Sequence, residues 1–336
     1  MAEAAAVLRA GGLVAFPTET VYGLGAHALD ADAVRGIFQA KQRPADDPLI
    51  VHVREARDLG RIALPDETSH RLASRFWPGP LTLVLRKRDE VPPEVTAGLQ
   101  TVAVRVPAHP VAQDLLAASD LPIAAPSANR FGRPSPTRAA HVLDDLDGRI
   151  DVVLDGGPTP VGVESTIVDV SCEPPRLLRP GGLPAEEIEM VLGARLVTPG
   201  RSAPGPQAAP GQLPVHYSPR TPLTLITGSP TAARDCLLRE VESALGAGQR
   251  VGVLALDEDT RLLPEAAERE VVGTYPEPAA AASRLFEAMR ALDAANLDAL
   301  FARDLADPAA GLGRALADRL RRAASRIIDI GLTTER

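Results

Sequence analysis

Cysteine and lysine are both scarce in this sequence of 336 residues. The two cysteines, Cys172 and Cys236, lie far apart and lack neighbours at metal-binding spacing, which excludes a disulfide framework and a CxxC zinc site. So few cysteines are typical of a reducing compartment, and we predict a cytoplasmic protein. Lys41 and Lys87 are the only lysines. A GC-rich genome accounts for this bias, and the retention of Lys41 in spite of it is a mild pointer to function.

Long apolar runs are also absent, since no stretch approaches the length needed to span a bilayer. The N-terminal sequence MAEAAAVLRAGG lacks the basic and apolar regions of a signal peptide and predicts a short helix that ends before Gly11. The formal net charge is −8. This balance argues against a protein whose main role is to grip nucleic acid through its phosphates, although a local basic cleft stays compatible with it.

Common catalytic and nucleotide-binding motifs are missing. The sequence contains no GxxxxGK[ST], no HExxH and no GxSxG, and the GLG segments at Gly23 and Gly311 both lack the third glycine of GxGxxG. Any nucleotide site must therefore be built from other parts. Without a nucleophile motif, the sequence favours direct transfer between bound substrates, run by positioning and charge neutralisation.

Residues 1–197 combine strands and helices in a mixed order. The clearest helical pattern begins at an Asp30 cap and ends before Pro44, whereas several strands follow one another directly. We therefore predict an α/β catalytic domain with a mixed, twisted sheet and helices. The predicted strands begin at Leu13, Leu49, Leu81, Thr101, Leu121, Val152 and Thr166.

A linker and a second domain follow. Residues 198–222 are rich in proline and glycine and have no periodicity, which predicts a linker, yet they include His216 and Tyr217, more chemistry than a spacer needs. Strands and helices alternate over residues 223–336, so we predict a smaller, Rossmann-like α/β domain there. Its sequence carries no obvious chemistry, and a purely regulatory role for it stays open.

The segment PTETVYGLG, from Pro17, follows the first predicted strand. Its TET sequence offers hydroxyl and carboxylate groups, and we expect Gly23 and Gly25 to let the backbone turn tightly. Loops that leave strand ends are where sheets of this class place ligands. A plain polar turn would have the same sequence.

The segment KQRP, from Lys41, follows the helix capped by Asp30. A cation at a helix C-terminus is stabilised by about 0.3–1 kcal/mol, which accounts for Lys41 and Arg43 without any function. The alternative is that both side chains bind a polyphosphate. His52 ends the next strand, and a lone histidine is usually structural.

Further polar loops follow later strands. The loop APSANRFGRPSPT, from Ala125, has hydroxyl, amide and backbone N–H donors suited to a phosphate or a carboxylate, although an ordinary turn before a helix also fits. ESTIVD around Ser165, LRPG around Arg179 and the end of TVAVRVP at Arg105 add a hydroxyl and two guanidinium groups. Arginines beside hydroxyl-rich loops indicate two anionic ligands, such as a nucleotide and a carboxylate.

In this order, PTETVYGLG, KxRPxxxPLIVH, the SAN loop with PSPT, ESTIVD and LRPG resemble the YrdC/TsaC family of L-threonylcarbamoyl-AMP synthases. The match covers roughly residues 3 to 195. The HYSP linker and the second domain resemble the long, two-domain form of that family. Each motif alone is weak, but the whole set in order at sensible spacing is specific.

The resemblance implies a reaction and a set of positions. L-Threonine, bicarbonate or CO₂, and ATP would give threonylcarbamoyl-adenylate and pyrophosphate, which makes the protein a nucleotidyltransferase that serves threonylcarbamoyladenosine formation beside the tRNA anticodon. Lys41 and Arg43 are the implied catalytic residues, and Asn129 belongs to the same motifs. The implied L-threonine positions are Thr20, His52, Arg105, Ala125 (through its backbone) and Ser165. The implied ATP positions are Arg43, Asp47, Thr101, Ser127, Ser135, Arg179 and Tyr217.

Other expectations accompany this resemblance. Asp47 departs from the family, in which an amide or imidazole is common, and a carboxylate there would repel a polyphosphate unless it met Mg²⁺ or the adenosine. Mg²⁺ is expected on the ATP phosphates, with no metal site in the protein itself. We expect the linker to close over the site through Tyr217 and exclude water. Downstream tRNA threonylcarbamoyl-transfer enzymes are the expected partners, direct tRNA contact is compatible but not required, and no membrane contact is expected.

Two other functions fit parts of the sequence. Hydrogenase-maturation carbamoyltransferases share the N-terminal domain, but they need cysteine-rich zinc elements and an acylphosphatase-like module, which two cysteines and a domain at the very N-terminus argue against. The second alternative is an RNA-binding or ribosome-assembly module with a concave basic face. The acidic net charge counts against that alternative.

Overall fold

The computed structural model describes residues 1–199, 209–211 and 216–331. The chain divides into two compact units, and each unit has its own sheet. The first unit is formed by Met1–Phe131 and Ser135–Leu213, and the second by Gly132–Pro134 and Pro214–Arg336.

The first unit contains one mixed sheet of nine strands. The strands are β1 (Val14–Pro17), β2 (Tyr22–His27), β3 (Ile50–His52), β4 (Leu81–Arg86), β5 (Thr101–Arg105), β6 (Ile123–Ala124), β7 (Val152–Val153), β8 (Thr166–Asp169) and β9 (Arg176–Arg179). Their order across the sheet is β7-β1-β2-β6-β3-β5-β4-β8-β9. Three parallel pairs, β1 with β7, β3 with β5 and β4 with β8, occur among antiparallel ones. The predicted mixed α/β sheet is confirmed.

The predicted N-terminal helix and the predicted helix after Asp30 are both present in this unit, with five further helices. They are α1 (Ala2–Arg9), α2 (Ala31–Lys41), α3 (Glu67–Phe76), α4 (Pro93–Thr96), α5 (Pro110–Ser119), α6 (Ala139–Leu146) and α7 (Ala185–Leu192). Helix α2 begins because the Asp30 side chain accepts hydrogen bonds from the N–H groups of Asp32 and Ala33, two of the donors that a helix start leaves unpaired. It ends at Lys41, where Gln42 takes a left-handed conformation.

One local prediction in PTETVYGLG is wrong. Gly23 and Gly25 do not form a turn, because both lie inside strand β2. A Cβ atom on Gly25 would lie 2.7 Å from Cγ2 of Ile123 and 2.8 Å from the Phe16 ring, so the glycine permits close packing rather than a turn. The chain turns earlier, where the Thr18 hydroxyl accepts hydrogen bonds from the backbone N–H groups that follow it.

The second unit is a five-stranded, fully parallel sheet. Its strands are β10 (Leu223–Thr227), β11 (Val251–Ala255), β12 (Glu268–Val271), β13 (Ala299–Arg303) and β14 (Arg326–Asp329), in the order β12-β11-β13-β10-β14. Its helices are α8 (Pro230–Gly246), α9 (Pro278–Ala294) and α10 (Gly311–Ala323). This agrees with the predicted Rossmann-like α/β domain. Among the helices in the described ranges, none has the length and apolar content that a bilayer crossing requires.

Candidate active site

The middle of the first sheet brings three predicted L-threonine positions together. Strands β3 and β5 are parallel neighbours, and their register sets His52 beside Arg105. The Arg105 guanidinium reaches the loop before β2, where its Nη1 donates a hydrogen bond of 2.9 Å to the Thr20 hydroxyl. Its Nε donates to the carbonyl of Gly79 at 3.2 Å. Ala125 is held close by, since its N–H donates to the Ile50 carbonyl at 2.8 Å.

Several buried polar atoms at this point lack hydrogen-bond partners within the described residues. They are Nη2 of Arg105, Nδ1 of His52 and Oε1 of Glu19. Nη2 of Arg105 lies 2.7 Å from Oε1 of Glu19 as an ion pair, without the alignment of a hydrogen bond. A buried donor or acceptor that lacks a hydrogen bond costs about 1–3 kcal/mol of stability. This cluster therefore fits a polar ligand that would supply the missing hydrogen bonds.

Glu19 is a site residue that the sequence argument did not single out. Its Oε1 pairs with Arg105, and its Oε2 accepts a hydrogen bond of 3.1 Å from the N–H of Ala108. The carboxylate and the Thr20 hydroxyl therefore hold different nitrogens of the same guanidinium. The one sequence feature that pointed to Glu19 as a site residue was its position between the two threonines of TET.

His52 is neutral in this environment. Burial lowers the pKa of His52 to about 3, and the positive charge of Arg105 adds to the effect. The ring also packs edge-on against Phe16, with centroids 6.0 Å apart. A neutral imidazole at pH 7 can accept or donate a hydrogen bond but cannot pair a carboxylate as a cation.

Ser165 and Arg179 lie together on the other side of β4. Nε and Nη2 of Arg179 donate to the Ser165 carbonyl at 3.2 and 3.0 Å, and Nη2 also reaches the Ser165 hydroxyl at 3.2 Å. The hydroxyl of Thr82 lies 2.8 Å from the same hydroxyl. Thr82 is a second residue that the sequence argument missed, because nothing around it resembles a motif.

Lys41 ties the end of α2 to the SAN loop. Its Nζ donates to the carbonyls of Ser127, at 2.6 Å, and of Asn129, and the ammonium is almost wholly buried. The Ser127 hydroxyl in turn donates to Oδ1 of Asn129 at 2.5 Å. Lys41 therefore connects two motifs whose bonded residues lie 86 and 88 positions apart in the sequence.

Arg43 and Asp47 form a buried ion pair, with Nη2 of Arg43 2.8 Å from Oδ2 of Asp47. Burial raises the pKa of Asp47 above its ordinary value, against the attraction of Arg43, Lys41 and Arg179. Two cations of the KQRP motif and one of the LRPG motif thus act on one carboxylate. Lys41, Arg43 and Arg179 are therefore close enough to act on the same carboxylate.

The remaining predicted ATP positions are more scattered. The Ser135 hydroxyl donates to Oε1 of Glu164 at 2.5 Å, and both side chains are buried. Thr101 begins β5, at the opposite end of that strand from Arg105. Tyr217 belongs to the second unit, where its ring packs 5.5 Å from that of Phe286 and 5.1 Å from the guanidinium of Arg319.

Apolar residues form a separate buried cluster in the first unit. Ile50, Val84, Ala103, Ile167 and Leu178 come from strands β3, β4, β5, β8 and β9, and Ala209 of the predicted linker packs against them. The Pro210 carbonyl accepts a hydrogen bond of 3.2 Å from Nη1 of Arg179. Residues 200–208 and 212–215 of the linker lie outside the described residues.

Comparison with known proteins identifies the family. A family model described as "Telomere recombination" matches residues 6–181, and one described as "Threonylcarbamoyl-AMP synthase, C-terminal domain" matches residues 183–325. The chain belongs to the YrdC/TsaC family. Because both models match, it has the long, two-domain form of that family.

Members of the YrdC/TsaC family resemble the chain over nearly its full length. A Pyrococcus abyssi protein named threonylcarbamoyl-AMP synthase is 46% identical over 97% of this chain and 95% of its own length. A Bacillus subtilis protein of the same name is 46% identical over 96% of this chain and 92% of its own length. The crystal structure of P. abyssi Sua5 complexed with L-threonine superposes with a TM-score of 0.92, at 45% identity over 98% of this chain and 95% of that one.

Proposed function

We propose that this chain is an L-threonylcarbamoyl-AMP synthase, which converts L-threonine, bicarbonate and ATP into threonylcarbamoyl-adenylate, pyrophosphate and water. The observation that carries the proposal is the buried cluster of Arg105, His52 and Glu19 beside Thr20, in which one polar atom of each of the first three side chains lacks a hydrogen bond within the described residues. An amino acid has the carboxylate, amine and hydroxyl to complete such a cluster. The relatives of that name and the related structure with L-threonine support the proposal.

The threonine side of the site orients the amine for reaction. Arg105 pairs the threonine carboxylate, and the hydroxyls of Thr20 and Ser165 hold the amino acid in place. The neutral amine adds to CO₂ derived from bicarbonate and loses a proton, which gives a carbamate. Neutral His52 and the Glu19–Arg105 pair need not change charge during the reaction. They therefore provide hydrogen-bonding groups that are already oriented for the substrate.

The ATP side stabilises developing negative charge. A carbamate oxygen attacks the α-phosphorus, the bond to the β-phosphate oxygen breaks, and pyrophosphate leaves. Lys41, Arg43 and Arg179 neutralise the charge that accumulates on the phosphates. This is a nucleotidyl transfer that needs no covalent enzyme intermediate. Thr101, Ser127, Ser135 and Tyr217 complete the ATP positions in this proposal, with Asn129 holding Ser127.

Mg²⁺ would enter with the ATP phosphates. The described part of the chain has no group of three or more His, Cys, Asp or Glu side chains placed to hold a metal. A Mg²⁺ ion on substrate phosphates needs only one or two protein carboxylates, and Glu164 beside Ser135 is an oxygen donor of the right kind. When bound, the ion would add positive charge at the phosphates.

We place the reaction in the cytoplasm and its product in tRNA modification. A threonylcarbamoyl-adenylate is a mixed anhydride, so an enzyme that transfers its acyl group to a tRNA adenosine must consume it before water does. The linker would exclude water through Tyr217, and its contact with Arg179 at Pro210 is consistent with that role. If Tyr217→Ala left both ATP affinity and adenylate lifetime unchanged, the linker would have no such role.

The deciding experiment measures pyrophosphate release from ATP while threonine and bicarbonate are each left out in turn. We expect release only when both are present, and mass spectrometry should find threonylcarbamoyl-adenylate. Release that continues without threonine would exclude this function. A gel shift with duplex RNA over a range of salt concentrations tests the alternative of an RNA-binding module.

A further inference from the structure

Asp47 has an unusual environment for a carboxylate. It follows α2 in the chain, its side chain has no exposed surface, and neither of its oxygens accepts a hydrogen bond within the described residues. Its one close partner there is Nη2 of Arg43, 2.8 Å from Oδ2. Buried carboxylates normally accept several hydrogen bonds, so this one is held almost entirely by charge.

The guanidinium that it pairs with is fixed by the backbone. Nε of Arg43 donates to the Asp47 carbonyl at 3.1 Å, and Nη2 donates to the Pro48 carbonyl at 2.9 Å. The Asp47 carboxylate is therefore not needed to keep Arg43 in its orientation. Removal of its charge should leave the guanidinium in place and change mainly the electrostatic potential around it.

The charges that face Asp47 are those proposed to bind triphosphate. Lys41, Arg43 and Arg179 act on it with positive charge, and the neighbouring Asp46 acts with negative charge. A carboxylate and a phosphate seek the same cations, and the two anions repel each other at short range. The Asp47 carboxylate thus lies where it competes with an incoming polyphosphate.

We propose that Asp47 is a resident anion that balances the cationic site when nucleotide is absent and weakens the binding of ATP and pyrophosphate. This inference rests on the proposed function for its ligands. Its benefit would be product release, because three buried cations without a competing anion would retain pyrophosphate. In this role Asp47 sets affinity through its charge and does not itself coordinate the nucleotide.

Isothermal titration calorimetry of the full chain tests the proposal. ATP without threonine, and inorganic pyrophosphate, are each titrated with Mg²⁺ and again with EDTA. We expect Asp47→Asn to bind both ligands at least about tenfold more tightly, which corresponds to about 1.4 kcal/mol. Asp47→Ser, which is also neutral but shorter, should tighten binding in the same direction. Thermal unfolding identifies any variant that does not fold.

Asp46→Asn is the matched control, since it removes the same formal charge one residue away at an exposed position. We expect its affinities to stay within about twofold of the original chain, because exposed charges are screened by solvent and salt. Equal tightening in Asp46→Asn would overturn the proposal, as would unchanged affinity in both Asp47 variants. Weaker binding of Asp47→Asn in Mg²⁺ but not in EDTA would identify a metal ligand instead.

These outcomes are separate from the fate of the proposed function. If the original chain releases pyrophosphate only with threonine and Asp47→Asn binds no more tightly, the enzyme assignment holds and the role of Asp47 is wrong. If the original chain binds neither ATP nor pyrophosphate, the proposed function itself fails.

Discussion

The Arg105 guanidinium donates a hydrogen bond of 2.9 Å from Nη1 to the hydroxyl of Thr20, and both side chains are buried. Thr20 precedes β2 and Arg105 ends β5, with β6 and β3 between those strands in the sheet. The bond therefore joins two segments across the middle of the sheet. It positions a hydroxyl and a cation to receive one small ligand with an anionic end.

Thr20→Ala should weaken threonine binding by about tenfold, because one hydrogen bond to a charged group contributes about 1.5–3 kcal/mol and part of it is recovered from water. We expect the KM for ATP to change by less than about twofold. Steady-state pyrophosphate release with each substrate varied measures both. Thr20→Ser keeps the hydroxyl and should restore most of the threonine affinity; a loss as large as that of alanine would show that the methyl group matters instead.

Glu19→Gln should also act on threonine and not on ATP. The substitution keeps the shape but removes the charge that pairs Nη2 of Arg105 at 2.7 Å, so the guanidinium is then held only through Nε and Nη1, by Gly79 and Thr20. We expect the KM for threonine to rise about tenfold, which is about 1.4 kcal/mol, with a small change in kcat, because Nη2 of Arg105 is then less well placed for the threonine carboxylate. An unchanged KM for threonine would argue against a positioning role.

The two lysines of the chain provide a matched pair of variants. Nζ of Lys41 donates to two carbonyls of the SAN loop, and Nζ of Lys87 donates to two carbonyls near its own strand. Lys41→Ala should lower kcat by at least about a hundredfold, because it removes a charge from the transition state. Lys87→Ala should leave kcat within about twofold. Similar losses in both variants would contradict a specific role for the Lys41 charge.

Acid stability should depend on His52. Its pKa is about 3 in the folded protein against an ordinary value of 6.5, so the unfolded chain binds more protons between these values. The stabilising contribution is complete above about pH 6.5 and is lost as pH falls, by at most about 1.4 kcal/mol per pH unit. Urea unfolding from pH 7 to pH 4 should show a shallower slope for His52→Gln. The exposed His70→Gln control should follow the original chain, and an unchanged slope in His52→Gln would refute the assignment.

Much of the fold could be predicted because its signals are local. The Asp30 cap and the apolar stripe of α2 lie within a dozen residues, and the apolar runs at LIVHV and TVAVRV predicted β3 and β5 correctly. Strand β2 escaped prediction because Gly23 and Gly25 are normally read as turn formers, and their packing partners, such as Ile123, lie far along the chain.

The sequence by itself determined which residue types stand at each motif, and those motifs were sufficient to recognise the family. It also determined the mixed sheet, the second α/β unit and the absence of common nucleotide-binding loops. The contacts of Glu19, Thr82 and Asp47 were decided only by the tertiary structure. Thr82 and Glu19 contact partners far along the chain, such as Ser165, which lies 83 positions from Thr82. Asp47 pairs with the nearby Arg43, and only the structure shows that this pair is buried. Charge interactions and hydrogen bonds depend on distances in space and not on separation along the chain. Only the folded structure therefore shows which of these side chains contact each other.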